Sequence, residues 1–298
     1  MRKILVLRGG ALGDFIVTLP ALAALRRTWP SARIELAGNA TAAAIAHDSG
    51  LIDAVHSQQE ARWSALFGPA PLPEELAAWL GSFDLVLNFW PDDDGALLRQ
   101  FPLRPGQKFL SAPAHPTIAP AAAHYCAALT DVGIESRDFF YPLVTPHNRG
   151  RVDDSRAPIA IHPGSGSLKK NWPLERWAIL CEWLEREHGA ELLMVTGEAE
   201  SAAARRLAPG AFTAHDLPLG ELMARLAPCQ LFVGHDSGIS HLAAACGVPC
   251  VLLFGPTDPA VWAPPTPAVC IVRRSEKLDS ISVDDLQRDL ARLLAPPK

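Results

Sequence analysis

The chain has 298 residues, of which 49% are hydrophobic and 20% charged, and a formal net charge of −5. Its apolar content is ordinary for a folded protein and excludes disorder as the main state; its length suits two domains. Neither half is basic, with 12 basic and 14 acidic groups in residues 1–150 and 15 and 18 in 151–298, which excludes a general nucleic-acid-binding surface.

The first segment, KILVLR over Lys3–Arg8, predicts a strand. A basic start before apolar residues superficially resembles a leader peptide, but the apolar stretch is only 4–7 and ends at Arg8, Gly9 and Gly10. A helix is expected over 14–28, with Ile16, Leu19, Ala23 and Leu25 near helical spacing. Strands follow over 33–37, 53–57 and 84–89, with helices over Glu74–Leu80 and 119–132. Residues 141–157, rich in Pro, Asn, Asp and Arg, form the best linker. The pattern then restarts with strand 158–162, helix Leu174–His188, strand 191–196 and helix 199–207. Helix Leu219–Leu226, strand 230–233, helix 237–246, strand 250–254 and helix 282–294 complete it.

Alternating strands and helices with near-continuous apolar strands predict α/β architecture: parallel sheets covered on both faces. We expect two doubly wound domains, 1–150 and 151–298. Ligands in such sheets bind beyond the carboxyl ends of the strands, so two facing domains would hold their main site in the cleft between them. No apolar run reaches the roughly 18–20 residues that span a bilayer. The six cysteines contain no Cys-x-x-Cys pair and read as reduced, mostly buried thiols of a cytoplasmic protein.

Four loops can carry chemistry. Gly9-Gly10-Ala11-Leu12-Gly13-Asp14 follows the first strand, where glycines permit a tight turn. Asp14 there is either a helix N-cap or a carboxylate acting as general base. The loop lacks the Gly-x-Gly-x-x-Gly dinucleotide spacing. The second loop runs from His162 through Ser165, Gly166, Lys169 and Lys170 to Trp172-Pro173; it can cradle phosphate oxygens or be a solvated basic turn. In the third, Asp236, Ser237 and Gly238 open a helix whose N–H groups face outward, with His241 in its first turns. The fourth, Gly255-Pro256-Thr257-Asp258-Pro259, follows the next strand. Anion-favouring loops on adjacent strand ends point to a diphosphate. Asp92, Asp93 and Asp94 could hold a cation, but they also suit a helix N-terminus, and no metal is expected.

Gly13-Asp14 with Leu19-Pro20, His162 with Lys170-Asn171-Trp172-Pro173, and Asp236-Ser237-Gly238-Ile239-Ser240-His241 through Gly255-Pro256-Thr257-Asp258 resemble glycosyltransferase family 9, the ADP-heptose:lipopolysaccharide heptosyltransferases. The resemblance runs in order from the first strand to about residue 262. It implies a GT-B architecture, two Rossmann-like domains with the acceptor on the first and the nucleotide-sugar on the second. It also implies inverting, metal-independent transfer of a sugar, heptose from ADP-heptose, to a saccharide or lipopolysaccharide-core-type acceptor, with no cofactor. Under it Asp14 is the base and Lys170 meets donor phosphate. Ser165, Gly166, Asp236, Ser237, Gly238 and His241 bind the donor, and Glu200, with Glu198 competing, lies near its nucleoside. Gly10 and Gly13 form the acceptor-side loop. The last helix could cross back to the first domain, and a lipid-linked acceptor would bring the protein to the inner membrane face. Residues 88–95 depart from the family's Asp-x-Gln-Gly-like pattern. The alternatives are a nucleotide-sugar epimerase of similar architecture, a transferase with a non-lipopolysaccharide acceptor, or a non-enzymatic nucleotide-binding subunit.

Overall fold

In a computed structural model, residues 1–144, 157–197 and 207–294 are described. The chain divides into two compact units, Met1–Tyr141 and Pro142–Lys298. Each is built on one wholly parallel sheet.

The first unit contains β1 (Lys3–Arg8), β2 (Arg33–Gly38), β3 (Ala54–Ser57), β4 (Leu85–Asn88) and β5 (Lys108–Ser111), in the order β3-β2-β1-β4-β5. Central β1 is flanked on both sides, and Ile4, Leu5, Val6 and Leu7 are wholly buried, as a strand covered on both faces requires. The helices are α1 (Leu12–Ile16), α2 (Leu19–Thr28), α3 (Ala40–Asp48), α4 (Glu74–Leu80), α5 (Ala96–Gln100) and α6 (Ala121–Ala127). The helix expected over 14–28 is therefore two. It breaks at Val17 and Thr18 because the Thr18 hydroxyl donates to Phe15 O at 2.6 Å, while Pro20 has no N–H to continue the ladder.

The second unit contains β6 (Ile159–His162), β7 (Leu192–Thr196), β8 (Phe212–His215), β9 (Leu231–His235), β10 (Cys250–Leu253) and β11 (Val269–Val272). Its order is β11-β10-β9-β6-β7-β8. The helices are α7 (Leu174–His188), α8 (Leu219–Leu226), α9 (Gly238–Ala245), α10 (Pro259–Trp262) and α11 (Val283–Leu294). Counted from its own first strand, this unit has the 3-2-1-4-5-6 order of a doubly wound sheet, and the first unit has the same order without its last strand. In α11, Leu286 and Leu290 are fully buried in the second unit's core with Trp172, Trp177, Leu180 and Leu184. The expected helix over 199–207 lies almost wholly outside the described residues, as does most of the expected linker.

Strands β5, β8 and β11 are absent from the sequence-based reading. All three are four-residue sheet edges, partly open to solvent; β5 (KFLS) and β8 (FTAH) carry no continuous apolar run, whereas β11 (VCIV) carries one that the expectation overlooked. Helix α3 was missed too; its start is set by Asn39, whose side chain accepts the Ala42 N–H at 3.2 Å. Among the described residues no helix is long and apolar enough to cross a membrane. Cys126, Cys181, Cys229, Cys246 and Cys250 are buried and Cys270 is partly buried.

Candidate functional site

In a doubly wound sheet the strand order reverses beside the first strand, and the loops leaving the two central strands diverge there to open a crevice. The reversal lies between β1 and β4 in the first unit and between β6 and β9 in the second. All the candidate loops with described residues leave these strands or the adjacent β10.

At the first reversal, Gly10 turns the chain out of β1 with φ +94°, a left-handed conformation open to glycine. A Cβ there would also lie 2.9 Å from Asp14 Oδ2. The chain then enters α1 at Leu12, two residues before Asp14. Asp14 is thus not an N-cap; it sits in the first turn, and Gly13 lies inside the helix. Its Oδ2 reaches back to accept the Ala11 N–H at 3.0 Å, which ties the carboxylate to the helix start. The Asp14 side chain remains 36% exposed. Beneath it lies Arg8, only 3% exposed. Arg8 Nη2 and Nε donate to Asp14 O at 2.5 and 3.1 Å, and Nη2 is 4.0 Å from Asp14 Oδ1. Arg8 carries no signal of this burial in the sequence, where a charged residue ending an apolar strand reads as a solvated boundary.

At the second reversal, Lys170 from the loop after β6 meets Asp236 from the end of β9. Lys170 Nζ lies 2.6 Å from Asp236 Oδ2, and the Thr257 hydroxyl, from the loop after β10, donates to the same oxygen at 2.7 Å. Asp236 is 9% exposed. Ser237 caps α9, its Oγ accepting the Ser240 N–H at 3.3 Å, which leaves the N–H groups of Gly238 and Ile239 at the start of the helix without an intrahelical partner. Ser165 Oγ lies 2.8 Å from Ser167 O and 2.7 Å from Asn171 Oδ1, folding the loop on itself. At Gly166 a Cβ would meet nothing within 4 Å, so the backbone there is open to a ligand. His241 is buried within α9. The structure thus brings Ser165, Lys170, Asp236 and Ser237 to neighbouring strand ends of one sheet; Glu198 and Glu200 lie outside the described residues.

His235 holds this assembly from behind. Its Nε2 accepts the Trp172 N–H at 2.9 Å, and its Nδ1 lies 3.2 Å from Gly164 O. These partners require a neutral ring protonated at Nδ1. Burial pushes its pKa down to about 3, which agrees. The role of His235 as the clip joining both ends of the 164–172 loop is not visible in the sequence.

The acidic run 92–94 belongs to a helix start. Asp92 Oδ1 and Oδ2 accept the Leu97 and Leu98 N–H groups at 2.8 and 3.1 Å, and Asp94 Oδ1 accepts that of Ala96 at 3.1 Å. Among the described residues no group of three or more His, Cys, Asp or Glu side chains is placed to hold a metal ion.

Known proteins resemble the chain in sequence and in fold. The family model for glycosyltransferase family 9 (heptosyltransferase) matches residues 135–287, about half of the chain. Lipopolysaccharide heptosyltransferase 1 of Salmonella typhimurium is 25% identical over 293 residues, 87% of this chain and 90% of that protein. Lipopolysaccharide heptosyltransferase 1 of Pseudomonas aeruginosa is 37% identical over 111 residues, and there the chain spans about a third of the relative's length, 31%, with 36% of its own. Among solved structures, the Escherichia coli ADP-heptose lps heptosyltransferase II superposes with a TM-score of 0.76 at 17% identity, covering 98% of each chain. That likeness shows the fold, two parallel α/β sheets of the GT-B type. With half of its length matched by the family model, the chain belongs to glycosyltransferase family 9.

Proposed function

We propose that this protein transfers heptose from ADP-heptose to a hydroxyl of a saccharide acceptor of the lipopolysaccharide-core type, with inversion at the anomeric carbon and without a metal. The observation that carries this reading is the Lys170–Asp236–Thr257 cluster beside the open start of α9 and the Ser165-Gly166 loop. An ammonium, unbonded backbone N–H groups and a glycine accessible to ligand are what a diphosphate needs. The curated relatives are heptosyltransferases, and the solved relative's name gives the donor as ADP-heptose.

In this reading the first unit binds the acceptor and the second binds the donor. Asp14 accepts the acceptor's hydroxyl proton as that oxygen bonds to the anomeric carbon. The bond from that carbon to the diphosphate oxygen breaks, and ADP leaves with the electron pair. Lys170 and the N–H groups of Gly238 and Ile239 meet the charge that develops on the leaving oxygen. Ser165 and Gly166 line the diphosphate, with Asp236, Ser237 and His241 shaping the donor site and Gly10 and Gly13 allowing close approach on the acceptor side. The setting is the cytoplasm, at the inner membrane face when the acceptor is carried on a lipid.

Thermal unfolding with ADP, GDP and UDP tests the donor class. A ligand at one hundred times its Kd stabilises by about 2.7 kcal/mol, so ADP should raise Tm while GDP and UDP at equal concentration should not. Equal shifts for all three, or none for ADP, would remove the ADP donor. Incubation with ADP-heptose and no acceptor should leave the sugar's configuration unchanged, whereas an epimerase would form an isomer.

A further inference from the structure

Arg8 is a charged side chain almost wholly buried at the end of the central strand of the first unit. Burying a guanidinium is costly unless it is fully engaged, and here its fork is spread over two helices and a loop. Nη2 and Nε converge on Asp14 O in α1, Nη2 also donates to the Tyr125 hydroxyl of α6 at 3.0 Å, and Nη1 reaches Ala114 O at 3.4 Å. The guanidinium lies 4.5 Å from the centre of the Tyr125 ring. Tyr125 in turn donates to Ala114 O at 2.8 Å, which fixes the direction of its hydroxyl and leaves its oxygen to accept from Arg8. Burial raises the phenol above its ordinary range and keeps it a donor. The acidic group paired with Arg8 is Asp14, at 4.0 Å.

We propose that Arg8, braced by Tyr125, is the positioning residue that fixes Asp14 for proton abstraction. This rests on Asp14 being the base. Helix α1 is only five residues long, and the Ala11 N–H bond to the Asp14 carboxylate lies within the same short turn. Short helices are marginal without tertiary support. The Arg8 fork supplies that support by gripping the main chain of the residue whose side chain must be aimed, and it presents a cation under the carboxylate. Misplacement of a reacting group by about 1 Å can cost roughly 10²-fold in rate, so the bond to Asp14 O reaches kcat without Arg8 touching substrate.

Arg8→Lys keeps the charge but loses the paired Nε and Nη2 grip on Asp14 O and the Nη1 contact with Ala114 O, because an ammonium lacks the planar fork. Arg8→Met keeps the bulk and loses the charge as well. With ADP-heptose as donor and saturating acceptor, kcat should fall at least tenfold in Arg8→Lys and further in Arg8→Met, with donor KM within twofold of wild type. Tyr125→Phe should lower kcat several-fold with the same unchanged donor KM. Unchanged kcat in a folded Arg8→Lys, or a loss confined to donor KM, overturns the proposal. If both Arg8 variants fail to fold, Tyr125→Phe decides, and wild-type kcat there overturns it equally. Asp14→Asn separates the two ideas. Activity in that variant removes the base itself, whereas its inactivity beside a fully active Arg8→Lys removes only the role of Arg8.

Discussion

The two sheet reversals share one topology and carry opposite charge arrangements. In the first unit a carboxylate whose side chain is 36% exposed, Asp14, sits over a cation whose side chain is buried, Arg8. In the second a cation whose side chain is 29% exposed, Lys170, sits over a carboxylate whose side chain is largely buried, Asp236. Each buried charge holds the opposite charge nearer the surface. Under the proposed function, the doubly wound frame supplies the place and the sign of the outer charge suits the chemistry. A presented carboxylate suits proton removal from a neutral hydroxyl; a presented ammonium suits an anionic leaving group.

If that division is right, single substitutions at the two surface charges should fail in different ways. Asp14→Asn should have the larger effect. Losing a general base costs roughly 10²–10⁴-fold, so kcat should drop by that much while the Tm rise caused by ADP stays at the wild-type value. Near-wild-type turnover would show that Asp14 is only a helix-start residue. Lys170→Ala should lose both properties. Removing one preorganised donor typically costs about 10²–10³-fold in kcat, and ADP affinity measured by calorimetry should also weaken. The substitution also strips the ammonium from Asp236, a buried carboxylate, leaving it Thr257 alone among the partners described above. Lys170→Ala with unchanged ADP affinity would erase the contrast between the units, because the presented cation would then serve no anion.

Much of this was readable from the sequence where local chemistry decides. Helix Leu174–His188 was expected with its observed ends: Pro173 stands before its first residue, and Gly189 ends it in a left-handed conformation at φ +59°. The Lys170–Asp236 meeting was legible only as a shared phosphate-binding role: with β8 unread, β9 counts as the third strand of its unit and not as the fourth, which is the one that pairs with β6. Arg8 was not legible. Its burial is set by Ala114 and Tyr125, more than 100 residues away, and no local pattern announces a cation that enters the core. Edge strands β5 and β8 were missed for the opposite reason, since KFLS and FTAH, half open to solvent, carry no continuous apolar run, whereas β11, VCIV, carries one that was overlooked.

The units should also part company in acid, and here the sign decides which fails first. His235 in the second unit has a folded pKa of about 3 against an ordinary value near 6.5. Between those values the unfolded chain binds the proton and the folded one does not, so stability is full above about pH 6.5 and falls as pH drops toward 3. The slope is roughly 1–2 kcal/mol per pH unit for one such group. In the first unit the shifted carboxylates act later. Asp84 is held below its ordinary value by the Arg2 and Lys3 backbone N–H groups, so its contribution persists until pH falls below about 4. Between pH 6.5 and 5 the second unit should therefore loosen while the first holds. Urea denaturation at pH 7 and pH 5, followed by hydrogen exchange of peptides from 159–172 and from 3–8, checks this. The 159–172 peptides should lose protection relative to the first-unit strand as acid is added. His235→Gln should be less stable at pH 7, because the clip between Gly164 and Trp172 is altered, yet less sensitive to acid, because an amide does not titrate there. Wild-type stability that does not change between pH 7 and 5 would mean that His235 is not buried neutral. The 164–172 loop would then owe its shape to Ser165 and Asn171, and acid would no longer distinguish the two units.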